Sequence, residues 1–145
     1  MSKKIIVFDL DGTLSIVGDR LKYLKDKDWD SFYEACDEDE PNDCMMKLLY
    51  VFKISNFFDI RFVTGRRESV REKTLNWLNK QGVVIESKKL YMRPNGDYRH
   101  DTELKPELVR DFIDDILMVF EDRTSMVKKW RELGITCLQV ADGDF

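Results

Sequence analysis

This chain has few cysteines, no long apolar run and no excess of positive charge, and each of these narrows what it can be. Its three cysteines, Cys36, Cys44 and Cys137, are odd in number and lack metal-ligand spacing. They argue against a disulfide framework and for a reducing compartment with buried or inert thiols. No apolar run approaches membrane-spanning length, so no membrane partner is expected. Lys3 and Lys4 lead straight into a short strand-like segment rather than a signal peptide, and the expected location is cytoplasmic. A net charge of −4 argues against a broad nucleic-acid-coating surface. Binding a short stretch or an end is still open, because that takes only a few local arginines and lysines. Internal repeats, low-complexity tracts and linkers are lacking too. So is any GxxxxGK[ST], which excludes a P-loop kinase, and no nucleotide cofactor is expected.

What is present is one domain's worth of chain, 1–145, long enough to close a core without staples. Residues 4–8, 60–63, 116–120 and 135–140 read as buried parallel strands, with a weaker fifth at 89–92. Each is rich in Ile, Val and Phe and does not alternate, as expected when helices cover both sheet faces. Helical patterns separate them: Met45 to Phe57 after the start signal Pro41-Asn42-Asp43, then 68–80 stopped by Gln81-Gly82, 106–113, and 124–133 stopped by Gly134. Strands alternating with helices give an α/β fold with a mostly parallel sheet. The stretch 15–43 breaks the alternation and reads as a small helical insert over the end of the first strand. Its acidic run 37–40 reads as a solvated loop.

In such sheets ligands bind outside the carboxyl ends of the strands, and the residues there are chemically distinctive. Asp9, Asp11, Gly12 and Thr13 follow the first strand, and Thr64-Gly65-Arg66-Arg67 follows the second. Lys105-Pro106 opens the helical pattern at 106, and Glu121-Asp122-Arg123 follows the strand at 116–120. Side chains two apart in an extended chain share a face, so Asp9 and Asp11 both point at the site. A cluster of Asp9, Asp11, Glu121 and Asp122 repels itself unless a cation sits at its centre. Few carboxylates completed by water and phosphate suit Mg²⁺. Two carboxylates in different surroundings can act as nucleophile and proton donor. Thr64, with backbone N–H groups near Gly12 and Gly65, can cradle phosphate oxygens. Lys105 offsets the crowded anions, and Pro106 disfavours helical geometry just before it, which puts Lys105 at the helix's lead-in.

Taken singly, each feature has an ordinary reading. DxDG is also a calcium-loop or turn fragment, and Thr-Gly after a strand is common turn chemistry. A lysine before a helix-starting proline is usually exposed, and Asp122 could be the N-cap of 124–133. Their joint occurrence, in order and on one sheet edge, favours a site.

That ordered set resembles the haloacid dehalogenase superfamily of phosphohydrolases across essentially the whole chain. The stretch DLDGT is similar to its first motif, Thr64 to its second, Lys105 to its third and Glu121-Asp122 to its fourth. The resemblance implies a Rossmann-like three-layer α/β fold with a small helical cap insert after strand one. Phosphatases of this superfamily keep the second aspartate as acid/base, whereas its dehalogenases and ion-pumping ATPases do not. The implied mechanism passes through an aspartyl-phosphate. Asp9 attacks phosphorus, and Asp11 protonates the departing oxygen and then activates water. Mg²⁺ is implied on Asp9, Asp122 and the Asp11 carbonyl.

The stretch EDRTSMVKKWRELGITCLQVADGDF is similar to the 3′-phosphatase domain of phage-type polynucleotide kinase-phosphatases, including the terminal Gly-Asp-Phe. That family's arginine eleven residues after the nucleophile falls on Arg20, and its arginine after the second motif on Arg66. Its GDxR segment corresponds to GDYRHDTELK, which supplies Asp101 and Lys105. Glu121 departs from the family's aspartate, leaving its contact to the metal direct or through water. The kinase half has no counterpart in this sequence, so a stand-alone phosphatase is expected, in the host cytoplasm if phage-encoded.

The expected function is therefore an Mg²⁺-dependent polynucleotide 3′-phosphatase acting on 3′-phosphorylated nucleic-acid ends. Arg20, Gly65, Arg66 and Asp101 would bind the substrate. The alternative is a phosphatase of small phosphomonoesters such as nucleoside monophosphates. Tyr91, Tyr98 or Trp29 could stack on a terminal base, though each also reads as core or rim packing. Asp101 could instead orient Lys105 or Arg66. Trp77 and Trp130 read as core, and His100 and Asn95-Gly96 as turn residues.

Overall fold

The structure is a computed structural model and describes residues 2–144; Phe145, the last residue of the terminal Gly-Asp-Phe, lies outside the described residues. In chain order the strands are β1 (Ile5–Phe8), β2 (Ser15–Ile16), β3 (Glu40–Pro41), β4 (Asp59–Arg67), β5 (Leu90–Arg93), β6 (Ile116–Glu121) and β7 (Thr136–Gln139). The helices are α1 (Trp29–Glu34), α2 (Asp43–Ser55), α3 (Arg71–Lys80), α4 (Asp101–Leu108) and α5 (Thr124–Glu132). Five strands form one sheet in the order β5-β4-β1-β6-β7, and every neighbouring pair is parallel. All five strands expected from apolar runs are there, including the weak one.

Alternation along β1 explains the three layers. Ile6 and Phe8 face one side, where they join Met45, Met46 and Leu49 of α2 and Trp77 and Leu78 of α3. Ile5 and Val7 face the other, packing with Val109, Phe112, Met126, Val127 and Trp130 from the α4 and α5 side. A strand covered on both faces must be apolar at every position, and all four residues of β1 are buried. Phe8 stacks on Phe120 of the neighbouring strand with ring centroids 4.8 Å apart. Trp77 and Trp130 are core residues, as expected.

The insert is built from little regular structure. A 3-10 segment at Asp19–Asp26, α1, and a 3-10 turn at Cys36–Glu38 lie between β2 and β3, which pair antiparallel. Asn42 caps α2 through its side chain, which accepts from the Met45 N–H. The Asn95-Gly96 turn is present, with Gly96 at φ 83° and the Asp97 N–H donating to the Pro94 carbonyl. Cys44 is exposed, whereas Cys36 and Cys137 are buried, and burial pushes the Cys137 thiol up to about 12. No helix among the described residues is long and apolar enough to cross a membrane.

Two expectations need correction. α4 begins at Asp101, five residues before Pro106, so Lys105 lies inside the helix and not at its lead-in. The His100 side chain caps the helix by accepting from the Thr102 N–H. Pro106 denies the Thr102 carbonyl its usual partner, and the helix keeps its course because Lys105 is fixed by buried ion pairs to Asp9 and Glu121. Tertiary pairing outweighs the local preference. The acidic run is not wholly a solvated loop either. Asp39 turns inward, with its side chain only 4% exposed against Arg20.

Candidate active site

The carboxyl ends of β1, β4, β5 and β6 meet at one edge. Beyond β1 the chain wraps over the Leu10 carbonyl, which accepts the N–H groups of Thr13, Leu14 and Ser15. Gly12 sits at φ +81°, and a Cβ there would lie 2.0 Å from an Asp122 oxygen, so only glycine lets this loop press against the end of β6. Its N–H is committed to the Ser15 carbonyl, so a phosphate donor near Gly12 would have to be another backbone N–H of the loop.

Asp9, Glu121 and Asp122 each offer a carboxylate oxygen within 4.8 Å of the other two, and all three are buried. Lys105 projects from α4 between them, its Nζ donating to Asp9 Oδ1 at 2.9 Å and to Glu121 Oε2 at 2.8 Å. The other Glu121 oxygen accepts from the Asp122 and Arg123 N–H groups. One ammonium among three carboxylates leaves the cluster anionic. Burial, reinforced by the Glu121 charge and opposed by Lys105, pushes Asp9 up to about 8. Burial and the Asp9 charge push Asp122 up to about 7. A crowded, all-oxygen anionic cluster fits a hard divalent cation. The same contacts hold Lys105 well above the ordinary lysine range despite its burial.

Asp11 has the opposite surroundings. Arg66 donates to its Oδ1 through Nε at 3.0 Å and Nη2 at 2.6 Å, and Arg20 Nη2 reaches the same oxygen. Burial works against ionisation here, but the two guanidiniums win and hold the carboxyl well below the usual carboxylate range. Arg20 is itself gripped by Asp39 through a fork of 2.8 and 2.7 Å, and it lies over the Phe32 ring. Arg66 is fully buried and also donates to Thr74. Both arginines expected to meet substrate thus converge on Asp11. Thr64 is buried beside them, its hydroxyl accepting from the Arg66 N–H.

Asp101 pairs with neither Lys105 nor Arg66. It takes Arg93 Nη2 at 2.6 Å and Arg123 Nη1 at 3.4 Å, because α4 presents it over the end of β5. Arg93 also donates to the Gly65 carbonyl at 2.9 Å. Gly65 is needed for close approach: a Cβ there would lie 2.6 Å from an Asp101 oxygen. Asp122 does not cap α5, whose N-cap is Arg123. Tyr91 packs on Phe112 and its hydroxyl accepts from Arg61, so it is core packing.

Sequence reasoning does not single out Asp39 or Arg93 as site residues, and it brings Arg123 to the edge with Glu121 and Asp122 without giving it a role. Arg93 carries a usable signal, since it ends the fifth strand at the edge where the other four segments lie. Asp39 is hidden in a run of like charges whose neighbours are solvated.

The family model of the polynucleotide kinase PNKP phosphatase domain matches residues 3–145. The chain belongs to that family. As a PNKP-type phosphatase domain it is a phosphomonoester hydrolase of the haloacid dehalogenase fold. A protein of Autographa californica nuclear polyhedrosis virus described as a bifunctional polynucleotide kinase/RNA ligase is 30% identical over 138 residues, covering 91% of this chain and 18% of its own length. A solved chain of a Pnkp1/Rnl/Hen1 complex is 32% identical with a TM-score of 0.82, covering 99% of this chain and 48% of that one. This phosphatase domain therefore spans less than half the length of these relatives. A class C acid phosphatase from Bacillus anthracis, at 16% identity and a TM-score of 0.63 over 100% of this chain and 69% of its own, shares the fold.

Proposed function

We propose that this domain removes the terminal 3′-phosphate from nucleic-acid ends, using Mg²⁺ and an aspartyl-phosphate intermediate. The observation that carries the reading is the division of two aspartates, two residues apart, between opposite environments. Asp9 lies in the anionic cluster beside an ammonium, and Asp11 lies on two guanidiniums.

Asp9 and Asp122 would hold Mg²⁺ directly with the Asp11 carbonyl, and Glu121 would stand behind them, where Lys105 and the Asp122 and Arg123 N–H groups hold it. When bound, the ion neutralises the cluster and draws charge from phosphate oxygens. Asp9 Oδ attacks phosphorus as the bond to the 3′ oxygen breaks. Lys105 steadies Asp9 in its ionised form. Thr64 and the Gly65 backbone contact the phosphoryl oxygens. Asp11 delivers a proton to the leaving 3′ oxygen, and later takes one from the water that splits the acyl-phosphate. Asp11 must gain that proton, and its arginines oppose it in the free protein. A substrate phosphate competing for Arg20 and Arg66 relieves the opposition and lets its pKa rise.

Substrate polarity tests the reading. Oligonucleotides bearing a 3′-phosphate should be dephosphorylated far faster than the same sequences bearing a 5′-phosphate. Equal or preferential attack on the 5′ end would overturn it. Efficiency on a 3′-mononucleotide equal to that on the oligomer would favour a small-molecule phosphatase instead.

Metal and pH are linked with a definite sign. Asp9 and Asp122 rise from their ordinary 3.8 to about 8 and about 7. The folded state then holds protons that the unfolded state releases, so metal-free stability falls as pH rises from about 4 to about 8. Mg²⁺ has to displace those protons below that window's upper end and not above it. The Mg²⁺-induced rise in Tm should be larger at pH 8 than at pH 6 by thermal shift. A rise independent of pH would remove Asp9 and Asp122 as ligands.

A further inference from the structure

Four planar side chains from three elements line up beside the site. Trp29 and Tyr33 stand one helical turn apart on α1, their rings stacked with centroids 6.1 Å apart. The Arg67 guanidinium, at the end of β4, lies 5.1 Å from the Tyr33 ring centroid and 5.8 Å from that of Tyr98, in the loop after β5. Asp30 holds that guanidinium through Nη1 at 2.6 Å. Within the row Tyr33 touches the site, because its hydroxyl donates to the Gly65 carbonyl, between Thr64 and Arg66. Its two ends are open to water. Tyr98 is 82% exposed and Trp29 43% exposed. Core packing does not explain these two, since Phe32 already anchors α1 inward.

We propose that Trp29, Tyr33, Arg67 and Tyr98 form a stacking platform for the bases on the 5′ side of the terminal nucleotide in a single-stranded 3′ end. The inference rests on the 3′-phosphatase reading above and adds where the strand runs. Bases present a π-face whatever their identity, so aromatic rings and a guanidinium bind them without reading sequence. This suits a domain of net charge −4, for which a long basic groove along the backbone is not expected. The platform also predicts little preference between DNA and RNA tails.

The test compares kcat/KM on a single-stranded 3′-phosphorylated hexamer with that on a 3′-mononucleotide, for the full chain and its variants. Tyr98→Ala and Trp29→Ala should each lose about tenfold on the hexamer and leave the mononucleotide unchanged. Tyr98→Phe should retain wild-type efficiency on both. In Asp9→Asn protein the hexamer should quench fluorescence, and Trp29→Phe should abolish the quench, because Trp77 and Trp130 are buried. A wild-type hexamer preference that survives both alanine substitutions overturns the platform alone, as does an equal loss on both substrates. A wild type with no hexamer preference overturns the platform together with the 3′-end reading.

Discussion

Asp9→Asn is expected to lower phosphatase turnover by about 10⁴-fold or more, the scale on which removing a covalent nucleophile acts, while leaving the domain folded. The side chain is nearly isosteric and keeps an oxygen toward Lys105. In the metal-free protein it also removes one of three carboxylates that repel each other within 4.8 Å. Asp122 owes part of its upward shift to Asp9, so its pKa should fall in the variant. The metal-free melting temperature should therefore hold or rise by a few degrees, and Mg²⁺ should stabilise the variant less than the wild type. Activity assays and thermal melts with and without Mg²⁺ check both halves. Residual turnover within tenfold of wild type would show that another group attacks phosphorus. A lowered metal-free melting temperature would show that the Asp9 charge is needed by the fold rather than tolerated by it.

The frame behind that prediction is legible in the sequence because each strand is a continuous apolar run. Asp9 and Asp122 fall on one sheet edge once 4–8 and 116–120 are seen as strands, and the parallel pairing of β1 with β6, which the strand pattern does not specify, makes them neighbours. Chain order and sheet edge together locate Thr64, Glu121 and Lys105. What sequence does not supply is who neutralises whom. Arg20 and Arg66 carry the right chemistry for phosphate, yet in the free protein their guanidiniums converge on Asp11. That pairing depends on how the irregular insert folds back, and the insert has few periodic apolar positions to announce its course. Asp39 is the clearest case. Its neighbours Glu38 and Glu40 are exposed, and nothing in the run marks the one carboxylate that turns inward. Asp101 is expected near the site and lies there, but with partners other than Lys105 and Arg66. The expected start at Pro106 hides that it opens α4, capped by His100.

Lys105→Met carries the largest expected cost in stability. The lysine is 2% exposed and shared by Asp9 and Glu121. Methionine preserves most of the volume and removes the ammonium that contacts both. Breaking a buried ion pair from one side costs about 3–5 kcal/mol, because the abandoned charge stays buried. Two carboxylates are abandoned here, so the upper end of that range is expected at pH 8. Lys105 itself stays charged through the neutral range, its pKa being raised by the same partners, so any pH dependence must come from the acids. With the lysine gone, Asp9 loses an influence that lowers its pKa. Protonation then becomes the cheaper way to keep it buried, and the folded variant takes up protons as pH falls. The deficit against wild type should shrink between pH 8 and pH 5 in urea titrations of metal-free protein. Mg²⁺ at pH 8 should recover part of it by supplying the missing positive charge. A deficit under about 1 kcal/mol, well below the scale for a broken buried pair, or one equal at both pH values, would mean that Asp9 and Glu121 are not held together by this lysine. Pairing Lys105→Met with Asp9→Asn separates the contributions. If the cost is the orphaned Asp9 charge, the double variant should be more stable than Lys105→Met alone, a coupling expected of residues in contact or in one ion-pair network.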